Sequence, residues 1–257
     1  MSSYKAHALA GIILAFPFIP TFFYLFFAVI GASIPDMDHD HNKNKVNSMF
    51  LVGIIISLLL FILKGSMLSG LIIVLLAITF YYSKHRGLTH SIAGITVICL
   101  LLLFMMMGFL PVVTSLAEYA NYVMPNNLSV FVLLSLLGFF VVSRKVLTFY
   151  EILLAICLFL APVNIDVINW RLVFIMLFIG AVSHLILDLW TPSGLAVFWP
   201  VSEEVFHKKT AMLFLGIWLF LAASYIAAFG HILFTYQPVL NYILWYVIPF
   251  CFFFQYF

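Results

Sequence analysis

Apolar runs separated by short polar islands fill the chain from end to end, and their order predicts its elements. His7 opens the first run and Asp36 closes it 29 residues later. One straight helix rising 1.5 Å per residue would set these two about 43 Å apart, on opposite sides of a bilayer core about 30 Å thick. Pro17 and Pro20 predict another path, because proline lacks a backbone donor and turns the residue before it away from helix. Residues 8–16 then run in and residues 21–34 run back, a re-entrant helical hairpin that returns Asp36 to the side of His7. Its turn must be buried in protein, since bare irregular backbone is not tolerated in lipid.

Residues 49–63 and 67–82 are apolar, divided by Lys64-Gly65-Ser66, and predict a helical hairpin although each is slightly shorter than the roughly 17–25 residues of a typical crossing. Residues 92–110 carry no charge and end near Pro111, before a polar connection over 114–127 that contains Glu118. Residues 128–142 and 147–161 flank Arg144-Lys145, with Glu151 about one turn inside the second arm, placed to pair with Lys145, to snorkel or to contribute to a site. Residues 170–189, 211–229 and 239–257 complete the series, and the segment 190–200 is rich in helix breakers and interfacial aromatics. The expected fold is all-α: a polytopic membrane helical bundle of about eight transmembrane helices plus the N-terminal re-entrant hairpin, in one integral membrane domain over residues 1–257.

Composition agrees, with 66% hydrophobic residues, 18% aromatic and only 8% charged, against roughly 45–50% apolar in soluble domains. The formal charge of +2, with basic residues scattered, gives no reason to expect nucleic-acid binding. Cys99, Cys157 and Cys251 each sit inside an apolar run and read as small hydrophobes. Lys5, the run after it and Gly31-Ala32-Ser33 resemble a cleavable signal. The run exceeds the usual 7–15 residues or so and is broken by prolines, so an uncleaved first element is expected. Counting crossings puts Lys5, Lys43, Lys45, Lys84, Arg86, Arg144, Lys145, Lys208 and Lys209 on one side, nine of the eleven basic residues, with Lys64 and Arg171 opposite. Short loops rich in Lys and Arg stay cytoplasmic, so this side and both termini are expected there, in a multi-pass membrane protein.

The same side receives the chemistry. Residues 31–41 read Gly-Ala-Ser-Ile-Pro-Asp-Met-Asp-His-Asp-His, three carboxylates and two imidazoles within six residues of a charge-poor chain. Such groups beside hydrocarbon are unfavourable unless paired, hydrated or bound to a cation. Asp36 and Asp38 can face one cation from a turn set up by Pro35. His85 and His90 are five apart, and Gly87 suggests a turn that brings them together. His184 and Asp188, four apart on a helix, share a face. With His7 and His39 these outnumber the three protein ligands typical of a catalytic zinc, which leaves room for partners that orient ligand imidazoles or for two metals.

His7, Pro35-Asp36-Met37-Asp38-His39, His85-Arg86-Gly87-Leu88-Thr89-His90-Ser91, Ser183-His184 with Asp188, and Thr191-Pro192-Ser193-Gly194, in that order, resemble the YdjM-like, LexA-regulated, inner-membrane metal-dependent hydrolases of bacteria and archaea. More distantly, a His, Asp and His-x-x-x-Asp set on helices is similar to zinc-dependent phospholipase C. The likeness covers residues 7–200, while two additional C-terminal helices at about 210–257 carry no family motif. The resemblance implies His7, Asp36, Asp38, His85, His90, His184 and Asp188 as metal ligands. It implies hydrolysis of a phosphoester or lipid-like substrate by a metal-activated water, with membrane lipids as the surroundings. His39 or an unligated carboxylate such as Asp38 would take the proton, and Arg86 would steady an anionic group. Nitrogen and oxygen donors without thiolate favour one or more divalent ions of zinc, with manganese or iron also accommodated. Thr89 and Ser91 are expected to cap or bond locally. The alternatives are a divalent-cation transporter and a structural metal-binding membrane protein. Transporter sites tend to lie at the midplane between repeats, and no repeat is visible.

Overall fold

The computed structural model describes residues 4–63 and 66–235. Among them the chain is helix and loop, apart from one antiparallel bridge between Leu195 and Phe206. The first apolar run breaks where its prolines stand. Helix α1 (Tyr4–Ala15) ends in a 3₁₀ turn over Phe16–Phe18, a second turn covers Phe22–Tyr24, and α2 (Leu25–Ser33) runs back against α1. His7 and Asp36 therefore meet instead of lying a bilayer apart, as the hairpin reading required.

The following helices are α3 (Lys43–Ile62), α4 (Leu68–Tyr82), α5 (Ile92–Tyr119), α6 (Asn126–Val141), α7 (Arg144–Leu160), α8 (Trp170–Leu189) and α9 (Lys208–Thr235). Among the described residues, four stretches are long and apolar enough to cross a membrane: Lys43–Ile62, Ile92–Tyr119, Trp170–Leu189 and Lys208–Ala228; Tyr4–Phe18, Leu68–Tyr82 and Asn126–Val141 are shorter apolar helices. The expected span at 239–257, the lysine of the Lys64-Gly65 break and Cys251 lie outside the described residues. Exposed Leu51, Ile55, Leu58, Phe61 and Ile62 give α3 an apolar outer face, as a lipid-facing helix needs.

Several boundaries differ from the sequence reading, and those of α3 and α5 have a local reason. α3 begins at Lys43 instead of 49, because lysine and asparagine are acceptable in a first turn that reaches the headgroups. α5 passes through Pro111 to Tyr119, with the Thr114 hydroxyl donating to the Pro111 carbonyl at 2.9 Å. That bond does not replace the one lost at Pro111, whose missing donor would have served the Met107 carbonyl; a membrane helix tolerates the single loss. Glu151 also departs from expectation: its carboxylate accepts from Ser135 on α6 at 2.5 Å.

The chain divides into two compact units, Met1–Leu215 and Gly216–Phe257. In the first, α3 pairs with α4 and α6 with α7, while α2 packs against both α1 and α8. Small residues make that last packing close. A Cβ on Gly31 would run into the Leu177 carbonyl of α8, and one on Gly180 into the Ala28 carbonyl of α2. Gly11 of α1 approaches the same part of α2: a Cβ there would lie 3.0 Å from that of Ala32 and 3.1 Å from the Ala28 carbonyl oxygen. Small residues let backbones approach where hydrocarbon gives no other drive for helices to associate. His7 lies one turn before Gly11 and His184 one turn after Gly180, so these contacts set the spacing of the polar ends. In the second unit, the described part of α9 exposes Ile217, Leu219, Phe220, Leu221 and Ile226.

Candidate metal centre

Four helix ends and two turns deliver the polar residues to one place. After α2, Pro35 opens a 3₁₀ turn over Pro35–Asp38, and Leu88–His90 forms a second turn against it. Ser91 then caps α5, accepting from the Gly94 amide at 3.0 Å, the local role expected of it. The turn between His85 and His90 owes its sharpness to Arg86, at φ 66°, and not to Gly87 as expected. Gly87 is needed for space, since a Cβ there would lie 2.9 Å from the Lys84 carbonyl oxygen.

The seven residues expected as ligands fall into three overlapping groups that could each hold a metal ion: His7, Asp36 and His184; Asp38, His85 and His90; and His90, His184 and Asp188. Within each, one donor atom per residue lies within 4.8 Å of the others. His184 Nε2 is 3.6 Å from Asp36 Oδ1 and 3.6 Å from Asp188 Oδ2, and His90 Nε2 is 3.6 Å from the same Asp188 oxygen. His7 Nε2 lies 3.8 Å from Asp188 Oδ1, its ring stacked on His184 at 3.7 Å.

His184 Nδ1 lies 2.7 Å from the Ala32 carbonyl, and only the protonated nitrogen can bond there. The Nε2 lone pair is thereby aimed at the acids, the usual way in which a metal-binding imidazole is held. His90 Nε2 and His184 Nε2 are buried with no hydrogen-bond partner. A separation of 3.6 Å is too long for a hydrogen bond of about 2.7–3.2 Å. It is close to the roughly 3.4 Å between two ligand atoms on a tetrahedral zinc at about 2.0–2.1 Å. Orphaned imidazole nitrogens facing carboxylates across that gap fit a divalent cation.

Asp38 is anchored differently. His85 Nδ1 lies 2.9 Å from Oδ1, and the Thr89 hydroxyl donates to Oδ2. Burial pushes this carboxyl up, but hydrogen bonds from His85, His90 and Thr89 outweigh burial and hold it down at about 2. The Asp38 contact in turn raises His85, while burial lowers His90 and keeps it neutral, the form that binds metal. Thr89, read as a local hydrogen-bonder, is thus a further functional residue; its position next to His90 was the available signal.

His39 joins none of the three groups. Its ring packs on His85 at 4.9 Å and its Nδ1 lies 2.7 Å from His41 Nδ1. Arg86 reaches across to the loop after α8, donating to the Ser193 hydroxyl and to the Gly194 carbonyl at 3.5 Å.

No curated protein matches the chain and no solved structure does, so the more distant similarity to zinc-dependent phospholipase C rests on the residues alone. A family model does match, over residues 1–257, and so takes in the C-terminal stretch at 210–257 that lacks the motifs. With its apolar helices and its polar residues gathered at their ends, the chain belongs to the YdjM inner membrane protein family.

Proposed function

We propose that the chain is a multi-pass, metal-dependent hydrolase that acts at the cytoplasmic face of the inner membrane on a phosphoester or lipid-like substrate. The observation that carries the reading is the meeting of His7, Asp36, Asp38, His85, His90, His184 and Asp188, from segments up to 181 residues apart, in overlapping ligand groups. A bound zinc, manganese or iron would supply Lewis acidity and bring the pKa of a water towards neutrality. The remaining work belongs to the chain. Asp188, His90 and His184 offer the innermost donors, with Asp36, its side chain 29% exposed, at their edge and His7 stacked on His184. Asp38 is held too acidic to accept a proton near neutral pH, so its part is to bind and orient, and the proton passes to His39. Arg86 fixes the 191–194 loop and, with five N–H donors, has some left for an anionic oxygen. Trp190 and Phe198 are exposed nearby in sequence and suit a lipid boundary.

A transporter would need its donors near mid-membrane, whereas these lie at the start of α1 and α5 and the ends of α2 and α8. The test is product release by the purified, zinc-loaded protein from a panel of phospholipids and soluble phosphoesters. Phosphate or alcohol released by wild type and lost in His184→Ala supports hydrolysis. Zinc binding without any product, together with zinc flux into proteoliposomes, would replace it with the transporter.

A further inference from the structure

Six of the eight histidines make one unbroken series of ring contacts. The ring of His41 lies 4.3 Å from that of His39, His39 4.9 Å from His85, His85 5.0 Å from His90, His90 5.5 Å from His184, and His184 3.7 Å from His7. His41 is exposed, His39 half-buried and the His85 side chain 33% exposed, whereas His90, His184 and His7 are buried. The series thus leads from solvent to the innermost donors.

Its outer end is built as a chelate. Two Nδ1 lone pairs 2.7 Å apart repel unless a proton or a cation lies between them. As it stands the pair is a hydrogen bond; on one tetrahedral ion at about 2.0–2.1 Å the nitrogens would stand roughly 3.4 Å apart, so the two rings need part by only about 0.7 Å to take a cation. Moving the shared proton from Nδ1 to Nε2 of the same ring frees both lone pairs without changing the charge. A proton wire does not account for the rest of the series. The inner rings meet edge to face, His184 Nδ1–H is committed to the Ala32 carbonyl, and His90 Nε2 and His184 Nε2 have no hydrogen-bond partner. Each inner step does carry an acid: Asp38 beside His85 and His90, Asp188 beside His90 and His184, and Asp36 beside His184 and His7.

We propose that His39 and His41 form a capture site for a divalent cation of the zinc class, which loads the buried centre through His85. The proposal rests on the reading that the buried groups bind metal. The group of Asp38, His85 and His90 shares His90 with that of His90, His184 and Asp188, which shares His184 with that of His7, Asp36 and His184, so an ion moving along the series keeps one imidazole while it exchanges the other ligands. It never stands bare in a low-dielectric interior, where an uncompensated ion is strongly disfavoured.

The test is stopped-flow loading of the zinc-free, full-length protein in nanodiscs with Zn²⁺, followed by a fluorescent chelator that separates exposed from retained zinc. His41→Gln is expected to reach the wild-type amount of retained zinc about tenfold more slowly, the lower end of what local concentration of an ion contributes to on-rates. His41→Asp, which restores a ligand, is expected to recover the rate. Equal final amounts also show that the variant is folded. A His41→Gln time course equal to wild type, or a lower final amount, overturns the capture site and leaves the buried centre standing. Asp188→Ala is expected to bind zinc only in exposed form. If it retains as much as wild type, or if wild type retains none, the buried centre is overturned and the loading route with it.

Discussion

Gly180→Ala tests whether the distance between α2 and α8 sets the metal centre, using a residue that touches no ligand. Its added Cβ would stand 2.8 Å from the Ala32 amide nitrogen and nearer still to the Ala28 carbonyl oxygen. Ordinary contact begins at about 3.4 Å, and the Ala28 oxygen, the nearer obstacle, sets the requirement: the two backbones must part by about 1 Å. Neither obstacle is a flexible side-chain tip that could turn away. Overpacking of this kind amounts to about 1–3 kcal/mol, whereas alanine gains about 1 kcal/mol over glycine in a helix interior. The balance is a loss of up to about 2 kcal/mol. His184 lies one turn beyond and moves with α8, which stretches its 2.7 Å bond to the Ala32 carbonyl and its approach to Asp36. Loss of such an orienting contact lowers metal affinity by about 10–100-fold. Chelator competition gives the zinc affinity and thermal unfolding in detergent gives the stability. Gly216→Ala is the control, since a methyl there meets nothing within 4 Å and helix propensity alone predicts no loss. A Gly180→Ala protein as stable as wild type, with unchanged zinc affinity, would refute the argument.

Thr89→Val keeps the shape of the turn but removes the donor to Asp38; zinc affinity is expected to fall about 10–100-fold, measured by the same competition, with little change in helix content by circular dichroism. In the metal-free protein, Asp38 is depressed from an ordinary 3.8 to about 2. Its stabilisation is therefore complete above about pH 4 and is lost as pH falls towards 2, and is worth about 2 kcal/mol for a fully buried side chain. Acid unfolding of wild type should show this loss and Asp38→Asn should not. His85 is raised by the same contact, so its contribution has the opposite sign: present below about 6.5 and lost as pH rises through its folded value. A His85→Gln protein should lack the decline that sets in above about pH 6.5.

Much of the fold was legible because charge is scarce. α8 occupies residues 170–189 as expected, since Asn169 caps it, accepting from the Leu172 amide at 3.2 Å, and a breaker-rich loop follows it. The hairpin of α1 and α2 was legible from two prolines and one length argument, and it alone explains how His7 can meet Asp36. Pro111 misled because one missing donor does not end a long apolar helix whose other backbone bonds are kept, and α5 runs on to Tyr119. The left-handed residue of the 84–87 turn was assigned to Gly87, the residue type for which that conformation is easiest. Tertiary contacts place it at Arg86 instead, whose guanidinium is held by Ser193 and Gly194.

What no local pattern could show is how the imidazoles are divided. From spacing, His39 and Asp38 look equivalent, two polar residues side by side in one acidic stretch. In the folded chain a 3₁₀ turn points Asp38 inward to Thr89 and His85, and the backbone becomes extended at His39, with ψ 141°, which directs its ring outward to His41. Adjacent residues thus serve a buried group and a surface pair. The separation has a physical reason. A buried carboxylate needs donors or a cation at every oxygen, so Asp38 must lie where Thr89 and His85 can reach it. A third imidazole beside Asp38, after His85 and His90, would add only bulk. At His39 the ring instead stands where solvent, and ions in it, can reach.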